Sequence, residues 1–121
     1  MKIRKIDSNK LDYKDLLLEA DPEIEVVKEY IDKGDMYVLF DNEIPVAEIL
    51  ITKVNDEECE LKNIATSKTA RGKGYAGILI SHVFEIYSKE YKLSSHTLVQ
   101  HLFSRIYHNR SLVLHQASLC P

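Results

Sequence analysis

The segment from Cys59 to about Tyr91 restricts the fold most, because a strand pattern, a glycine-containing loop and a helix pattern follow one another in it. The strand pattern is CELKNIAT, in which polar and apolar residues alternate up to Thr66. The loop is SKTARGKG, and helical spacing follows it at Ile78, Leu79, Val83 and Ile86. A strand that leads through a short loop into an amphipathic helix is typical of mixed α/β domains, so we expect a sheet covered by helices.

The residues before this segment predict a strand, two helices and a hairpin, in that order. Asn9 or Ser8 is available as the N-cap of the first helix, and Gly34 lies where the C-cap of the second helix is expected. A polar turn between two β-branched segments predicts an antiparallel hairpin. The predicted elements are a strand at Met1–Ile6, helices at Asn9–Ala20 and from Pro22 to Lys33, and strands at Met36–Phe40 and Val46–Val54.

Composition favours one globular domain over the whole chain, because 45% of the 121 residues are hydrophobic and 29% are charged. The net charge of −3 argues against a nucleic acid as the main partner. We find no apolar run of about 18 residues and no signal-like start, so we expect no membrane segment and a cytoplasmic location. Cys59 and Cys120 are far apart in sequence, and we interpret both as thiols rather than as a disulfide or metal ligands.

The loop has the features of an anion site. Gly72 and Gly74 allow positive φ angles and a close backbone approach at the point where the first amides of a helix have no intrahelical partner. The helix dipole, Arg71 and Lys73 add positive charge there. A pyrophosphate group is therefore the expected ligand, and an ordinary glycine turn before a helix is the alternative.

Three glycine patterns compete for this loop. The G-x-x-x-x-G-K-[ST] pattern of nucleoside triphosphatases is absent. G-x-G-x-x-G is matched literally from Gly72 to Gly77, but Ser67–Ala70 separates the first glycine from the strand and no acidic residue follows Glu90. The third pattern, [QR]-x-x-G-x-[GA], is met by Arg71, Gly74 and Ala76.

With this third pattern, ELKNIATSKTARGKGYAGILISHVFE resembles the GNAT superfamily of acetyl-CoA-dependent N-acetyltransferases, and in particular its small bacterial members with E-x-x-N-I-A-V before the loop. Thr66 replaces the valine of that motif, and the resemblance covers roughly residues 1–92. It implies an α/β (α+β) fold with a mostly antiparallel central sheet flanked by helices, and acetyl-CoA as cosubstrate. The implied cofactor-binding residues are Ile64, Ala65 and Thr66 for the pantetheine arm and Arg71, Gly72, Lys73, Gly74, Tyr75 and Ala76 for the phosphates.

Direct transfer of an acetyl group to a primary amine of a small molecule or peptide requires a base for the amine and an acid for the departing thiolate. Glu60, on the strand that enters the loop, is the first candidate base, unless it faces solvent. Glu48 is the second candidate, and strand alternation also allows it a solvated face. Tyr107 lies about where the family's thiolate-protonating tyrosine falls, and a packed tyrosine ring is the alternative.

The last part of the chain, residues 93–121, departs from the family pattern. All 19 acidic residues lie at or before Glu90, whereas four of the five histidines lie beyond it. The seven-residue spacing of His101, His108 and His115 does not match a compact helical metal pair, so we expect no metal site. We interpret these residues as an atypical tail with altered or missing C-terminal strands, and an exposed strand edge then predicts a homodimer.

Two functions from different classes remain after this comparison. The first is an N-acetyltransferase, and the second is a catalytically impaired acyl-CoA-binding or interaction module with the same fold. A dinucleotide-binding protein is a remote third. We interpret Asp21, Glu23 and Glu25 as a solvated helix start without a functional role.

Overall fold

The computed structural model describes residues 1–53 and 59–90, and it has the mixed α/β architecture that the sequence predicts. Four strands and three α-helices are present in this part of the chain, together with three short 3₁₀ turns. The strands are β1 (Lys2–Ile6), β2 (Gly34–Asp41), β3 (Ile44–Lys53) and β4 (Cys59–Thr66), and the α-helices are α1 (Lys14–Ala20), α2 (Ile24–Tyr30) and α3 (Tyr75–Glu90). The 3₁₀ turns span Lys10–Tyr13, Ile31–Lys33 and Lys68–Ala70. None of the described helices is long and apolar enough to cross a membrane.

The sheet is antiparallel throughout, in the order β1-β2-β3-β4. β2 and β3 form the predicted hairpin, and its turn consists of Asn42 and Glu43, whose φ angles are 50° and 66°. Positive φ at both turn positions matches the twist of the flanking strands, and asparagine tolerates this conformation better than most residues. Each strand is therefore next to its neighbour in sequence, and β4 lies at one end of the described sheet.

Helices cover both faces of the sheet. On one face α3 packs Leu79, Ile80 and Val83 against β3 and β4, where Ile49 and Leu61 are fully buried. On the other face, α1 and α2 cover a second cluster, formed by Leu17, Val27, Met36, Val38 and Leu50. The alternation of side chains along the strands produces these two cores, because successive residues of a strand point to opposite faces.

A β-bulge interrupts β4 next to the second core. Leu50 of β3 is paired with Asn63, whereas the next residue, Ile51, is paired with Leu61, so Lys62 is the extra residue. A bulge changes the alternation of the strand and increases its local twist. It allows Asn63 to lie on the face covered by α1, where its side chain donates a hydrogen bond to the Leu17 carbonyl.

The start of the first helix differs from the prediction, whereas the end of the second helical segment agrees with it. Asn9 does not cap an α-helix: its backbone is left-handed, with φ 56°, its side chain makes no capping hydrogen bond, and α1 begins only at Lys14. Gly34 lies at the predicted position, directly after Lys33, where it caps the 3₁₀ turn Ile31–Lys33 with an extended backbone and opens β2. A side chain does not fit there, because a Cβ atom on Gly34 would lie 2.5 Å from the Ile51 carbonyl oxygen.

Candidate functional site

The loop between β4 and α3 has an open surface. Gly72 and Gly74 have φ angles of 83° and 79°, the positive values that the sequence predicts. No described atom lies within 4 Å of the position that a Cβ atom would take on either residue. Glycine is therefore required here by the backbone conformation and not by packing against the described residues. We call Arg71–Ala76 the phosphate loop.

The first turn of α3 is fixed to the sheet beside this loop. The helix begins at Tyr75, and the Ile78 amide donates a hydrogen bond to the Gly74 carbonyl at 3.2 Å. The Tyr75 ring is buried, and its hydroxyl donates to Asp41 Oδ2 of β2 at 3.0 Å. This hydrogen bond raises the pKa of the Tyr75 phenol. The amides at the start of the helix are consequently held in a fixed direction, and they have no acceptor within the helix.

Arg71 joins the phosphate loop to α1. Its Nε donates to the Thr66 carbonyl at 3.3 Å, and its Nη2 lies 2.9 Å from Glu19 Oε2. Both side chains of this ion pair are about a quarter exposed. The guanidinium therefore lies where β4 ends and the loop begins. Lys73, the other predicted phosphate-binding cation, is exposed on the loop.

The three predicted pantetheine-binding residues lie at the end of β4. Ile64 and Ala65 are buried, Thr66 is half-buried, and all three are paired with β3 through one edge of the strand. In the part of the chain that the structure describes, no strand is paired with the other edge of β4. The backbone groups of that edge lead directly to the phosphate loop, so the strand and the loop form one continuous surface.

Glu60 lies on the face of the sheet that α1 and α2 cover. It is paired across the sheet with Thr52, and its Oε1 is 3.6 Å from Lys62 Nζ, which lies over the ring of Tyr30. Its side chain is 20% exposed, so it is neither buried nor a free surface carboxylate. The register places Glu60 four residues before Ile64 along β4.

Glu48 is a fully buried carboxyl group on the same face of the sheet. It lies between Val38 of β2 and Ala65 of β4, and neither of its oxygens has a hydrogen-bond partner in residues 1–53 and 59–90. Burial raises the pKa of Glu48 well above its ordinary value, because desolvation disfavours the charged form. The alternative that strand alternation exposes Glu48 to solvent is therefore wrong.

Asn63 connects β4 to the junction of α1 and α2. Its Nδ2 donates to the Leu17 carbonyl at 3.3 Å and to the Tyr30 hydroxyl at 2.8 Å, while its Oδ1 is buried without a partner among the described residues. Tyr30 in turn donates to Asp21 Oδ2 at 3.0 Å, and burial raises the pKa of Tyr30. Asp21 is thus buried rather than solvated as expected, although Glu23 is exposed. The role of Asn63 is not predicted from the sequence, although its polar side chain in NIAT is an available signal.

The buried state of Glu48 predicts a specific pH dependence of stability. In the unfolded chain the carboxyl titrates near 4.5, and in the folded chain its pKa is higher. Between these two pKa values the folded state holds a proton that the unfolded state has lost, so stability decreases as the pH rises. We expect the free energy of unfolding of the wild type, relative to Glu48→Gln, to fall between about pH 5 and about pH 8. Urea denaturation of the wild type and of Glu48→Gln at the two pH values measures this relative free energy of unfolding. A relative free energy that is the same at both pH values would contradict the prediction.

The remaining predicted features lie outside the described residues. Tyr107, the atypical tail at 93–121 and the three evenly spaced histidines belong to this group.

Cys59 is buried in the core beneath α3. No group of three or more histidine, cysteine, aspartate or glutamate side chains in the described part of the chain is arranged to hold a metal ion.

An antiparallel sheet whose last described strand leads through an open glycine loop into a helix defines this chain as a mixed α/β protein. The chain belongs to the acetyltransferase (GNAT) family, whose model matches residues 6–112. It is 30% identical over 84 residues to the uncharacterized N-acetyltransferase YvbK of Bacillus subtilis, a match that covers 69% of this chain. The chain spans 52% of the length of that relative.

Solved structures of other proteins have folds similar to that of this chain. A GNAT family acetyltransferase from Elizabethkingia anophelis with acetyl-CoA bound matches with a TM-score of 0.72 and 24% identity, covering 86% of this chain and 72% of that one. A Bacillus subtilis acetyltransferase in complex with CoA matches with a TM-score of 0.67 and 26% identity, covering 73% of this chain and 58% of that one. The first of these similarities concerns the fold alone. The match of the family model to residues 6–112 confirms the resemblance to the GNAT family.

Proposed function

We propose that this protein transfers the acetyl group of acetyl-CoA to a primary amine of a small molecule or peptide by direct attack of the amine. The observation that carries the proposal is the open phosphate loop, with Gly72 and Gly74 at φ 83° and 79°, at the junction of β4 and α3. Membership of the GNAT family supports it, as do the acetyl-CoA and CoA bound by the similar structures.

The residues present fit the cosubstrate. The loop amides and the helix start offer donors for a pyrophosphate, and Arg71 and Lys73 add cations at the same place. The outer edge of β4 at Ile64, Ala65 and Thr66 offers backbone groups for the amide-rich pantetheine arm. Bound there, acetyl-CoA would supply the thioester, and amides of β4 would be available to polarise its carbonyl.

Proton transfer requires a base and an acid near the thioester. We assign the base to Glu60, acting through water, because it lies on the α1–α2 face and is only partly exposed. Lys62 lies beside it and holds its side chain in place. Tyr107 remains the predicted acid for the thiolate and lies outside the described residues.

A second function is a CoA-binding or interaction module without turnover. The change in composition after Glu90, where no acidic residue follows, favours it. Under either function we propose a homodimer in the cytoplasm, with an amine or a second copy of the chain as partner rather than nucleic acid or membrane. The net charge of −3 supports the exclusion of a nucleic acid as partner.

Release of free thiol from acetyl-CoA in the presence of a panel of primary amines tests the proposal. We expect amine-dependent thiol release by the wild type and a loss of about a hundredfold or more in Glu60→Gln, since a general base contributes about that factor. Glu29→Gln, the same substitution on the exposed side of α2, serves as the matched control and leaves the rate unchanged. Acetyl-CoA binding without amine-dependent release would support the second function. Stabilisation by NAD instead of CoA would support the remote third.

A further inference from the structure

Arg71 uses one edge of its guanidinium group for contacts with the protein. Its Nε donates to the Thr66 carbonyl at 3.3 Å, and its Nη2 donates to Glu19 Oε2 at 2.9 Å. These two nitrogens lie on the same edge of the planar group, so a single orientation serves both hydrogen bonds. Three of the five N–H donors of Arg71 therefore have no partner in residues 1–53 and 59–90.

Glu19 is the partner that fixes this orientation. The bond to the Thr66 carbonyl alone attaches the guanidinium at one point, about which the planar group can still turn. The charged oxygen of Glu19 attaches it at a second point, and charge-assisted hydrogen bonds of this kind are the stronger ones. Both side chains are only about a quarter exposed, so solvent screens the pair in part. The pair thus holds the guanidinium beside the phosphate loop.

A held arginine is favourable for binding an oxyanion. Ordering a long, flexible side chain during binding weakens the affinity by about two- to twelvefold. Where Glu19 and Thr66 already order the side chain of Arg71, this loss does not arise when the ligand binds. The N–H donors that remain have the fork geometry with which guanidinium groups bind phosphate oxygens.

The charges around the loop favour an indirect role for Glu19. Its carboxylate repels a phosphate, so Glu19 is not itself a ligand of the pyrophosphate. Lys73 is exposed on the loop and has no acidic partner in the described part of the chain, and the start of α3 adds further positive charge. The loop therefore keeps its attraction for an anion although Glu19 offsets the charge of Arg71.

We propose that Glu19 is a positioning residue of the cofactor site, which orients Arg71 for the pyrophosphate group of acetyl-CoA. This role deepens the proposed acetyl transfer and rests on its cofactor site. Glu19 acts through Arg71, and what the orientation requires is an acceptor oxygen at the end of the side chain rather than its negative charge. Glutamine therefore replaces Glu19 in this role, and alanine does not.

Calorimetric titration with acetyl-CoA tests the role of Glu19. We expect Glu19→Ala to bind about tenfold more weakly than the wild type, and Glu19→Gln to remain within about threefold of it. In an Arg71→Ala chain, Glu19→Ala should have no further effect, because the two residues act together. Glu19 borders an open cavity of about 230 Å³ with Asp15 and Ser67, so the truncation leaves the packed core intact.

Asp15→Ala is the matched control for Glu19→Ala. Asp15 lies one turn earlier on the same side of α1 and is exposed, so its variant should bind acetyl-CoA as the wild type does. S-acetylpantetheine, which has the thioester and the pantetheine arm but no pyrophosphate, should bind equally to the wild type and Glu19→Ala. Equal losses for both ligands would mean that Glu19 only holds α1 in place. Tighter binding of acetyl-CoA by Glu19→Ala would mean that Glu19 competes with the phosphates, and either result would overturn the role.

Inorganic pyrophosphate separates this role from the acetyl transfer. Compared with chloride at the same ionic strength, it should raise the Tm of the wild type by about 2 °C or more, and that of Glu19→Ala by less than half as much. Equal rises in the two chains, or none in the wild type, would overturn the role of Glu19. A rise that Glu19→Ala loses, in a protein that releases no thiol with any amine, would overturn the proposed function and leave the positioning role standing.

Discussion

Acetyl-CoA binding is expected to weaken by about a hundredfold or more when Gly74 is replaced by Glu, which corresponds to about 2.7 kcal/mol. Two effects add. The φ angle of 79° is unfavourable for any residue with a Cβ atom, and the new carboxylate would point into the open space that we assign to the phosphates. Like charges placed together in a binding site cost several kcal/mol. Calorimetric titration with acetyl-CoA measures the change.

Ser81→Glu is the matched control for this variant. It adds the same charge to α3, at an exposed position about two turns beyond the loop. We expect its affinity for acetyl-CoA to be within about threefold of the wild type, since exposed charges are screened by salt over about 10 Å. Retention of wild-type affinity by a folded Gly74→Glu chain would place the cofactor elsewhere on the molecule.

The second large effect concerns the helix that carries the phosphate loop. Leu79→Ala is expected to reduce the free energy of unfolding by about 2–5 kcal/mol, because Leu79 is fully buried between α3 and the sheet. A loss of this size is a large part of the total stability of a small domain. Urea denaturation followed by circular dichroism measures it.

Ile78 provides the control at the neighbouring position of the same helix. Its side chain is 39% exposed, so Ile78→Ala removes about as many atoms without opening a cavity in the core. We expect a change within about 1 kcal/mol, because alanine also has the better helix propensity. Similar losses for the two variants would mean that α3 does not pack on the sheet through the face described above.

The part of the fold that the sequence predicts best is local. The strand Cys59–Thr66 has the predicted bounds, and the helix after it begins at Tyr75, because alternation, glycines and helical spacing are all read within one short segment. Positive φ angles at Gly72 and Gly74 follow from the same segment. The position and backbone conformation of the candidate phosphate loop can therefore be predicted from residues that are close together in sequence.

The features that the sequence did not predict depend on contacts between distant residues. The bulge at Lys62 is visible only in the register of β4 against β3. The bonds from Asn63 to Leu17 and Tyr30 join residues 46 and 33 positions apart. The burial of Glu48 depends on which face α1 and α2 cover, and a strand pattern with apolar residues on both sides cannot decide this.

The two sides of the candidate site are connected through α1. Glu19 of this helix pairs with Arg71 of the phosphate loop, and the Leu17 carbonyl accepts the hydrogen bond from Asn63. The helix thus contacts both the loop assigned to the cofactor phosphates and the strand that leads into this loop.

The central claim is that the acetyl group of acetyl-CoA moves to the nitrogen of a primary amine on this chain. The most direct measurement is mass spectrometry of the amine after incubation with acetyl-CoA that carries a carbon-13-labelled acetyl group. We predict a labelled amide that forms in equal amount with free CoA and is absent with the Gly74→Glu chain. Acetyl-CoA that binds in calorimetry but leaves every amine of the panel unlabelled would contradict the account.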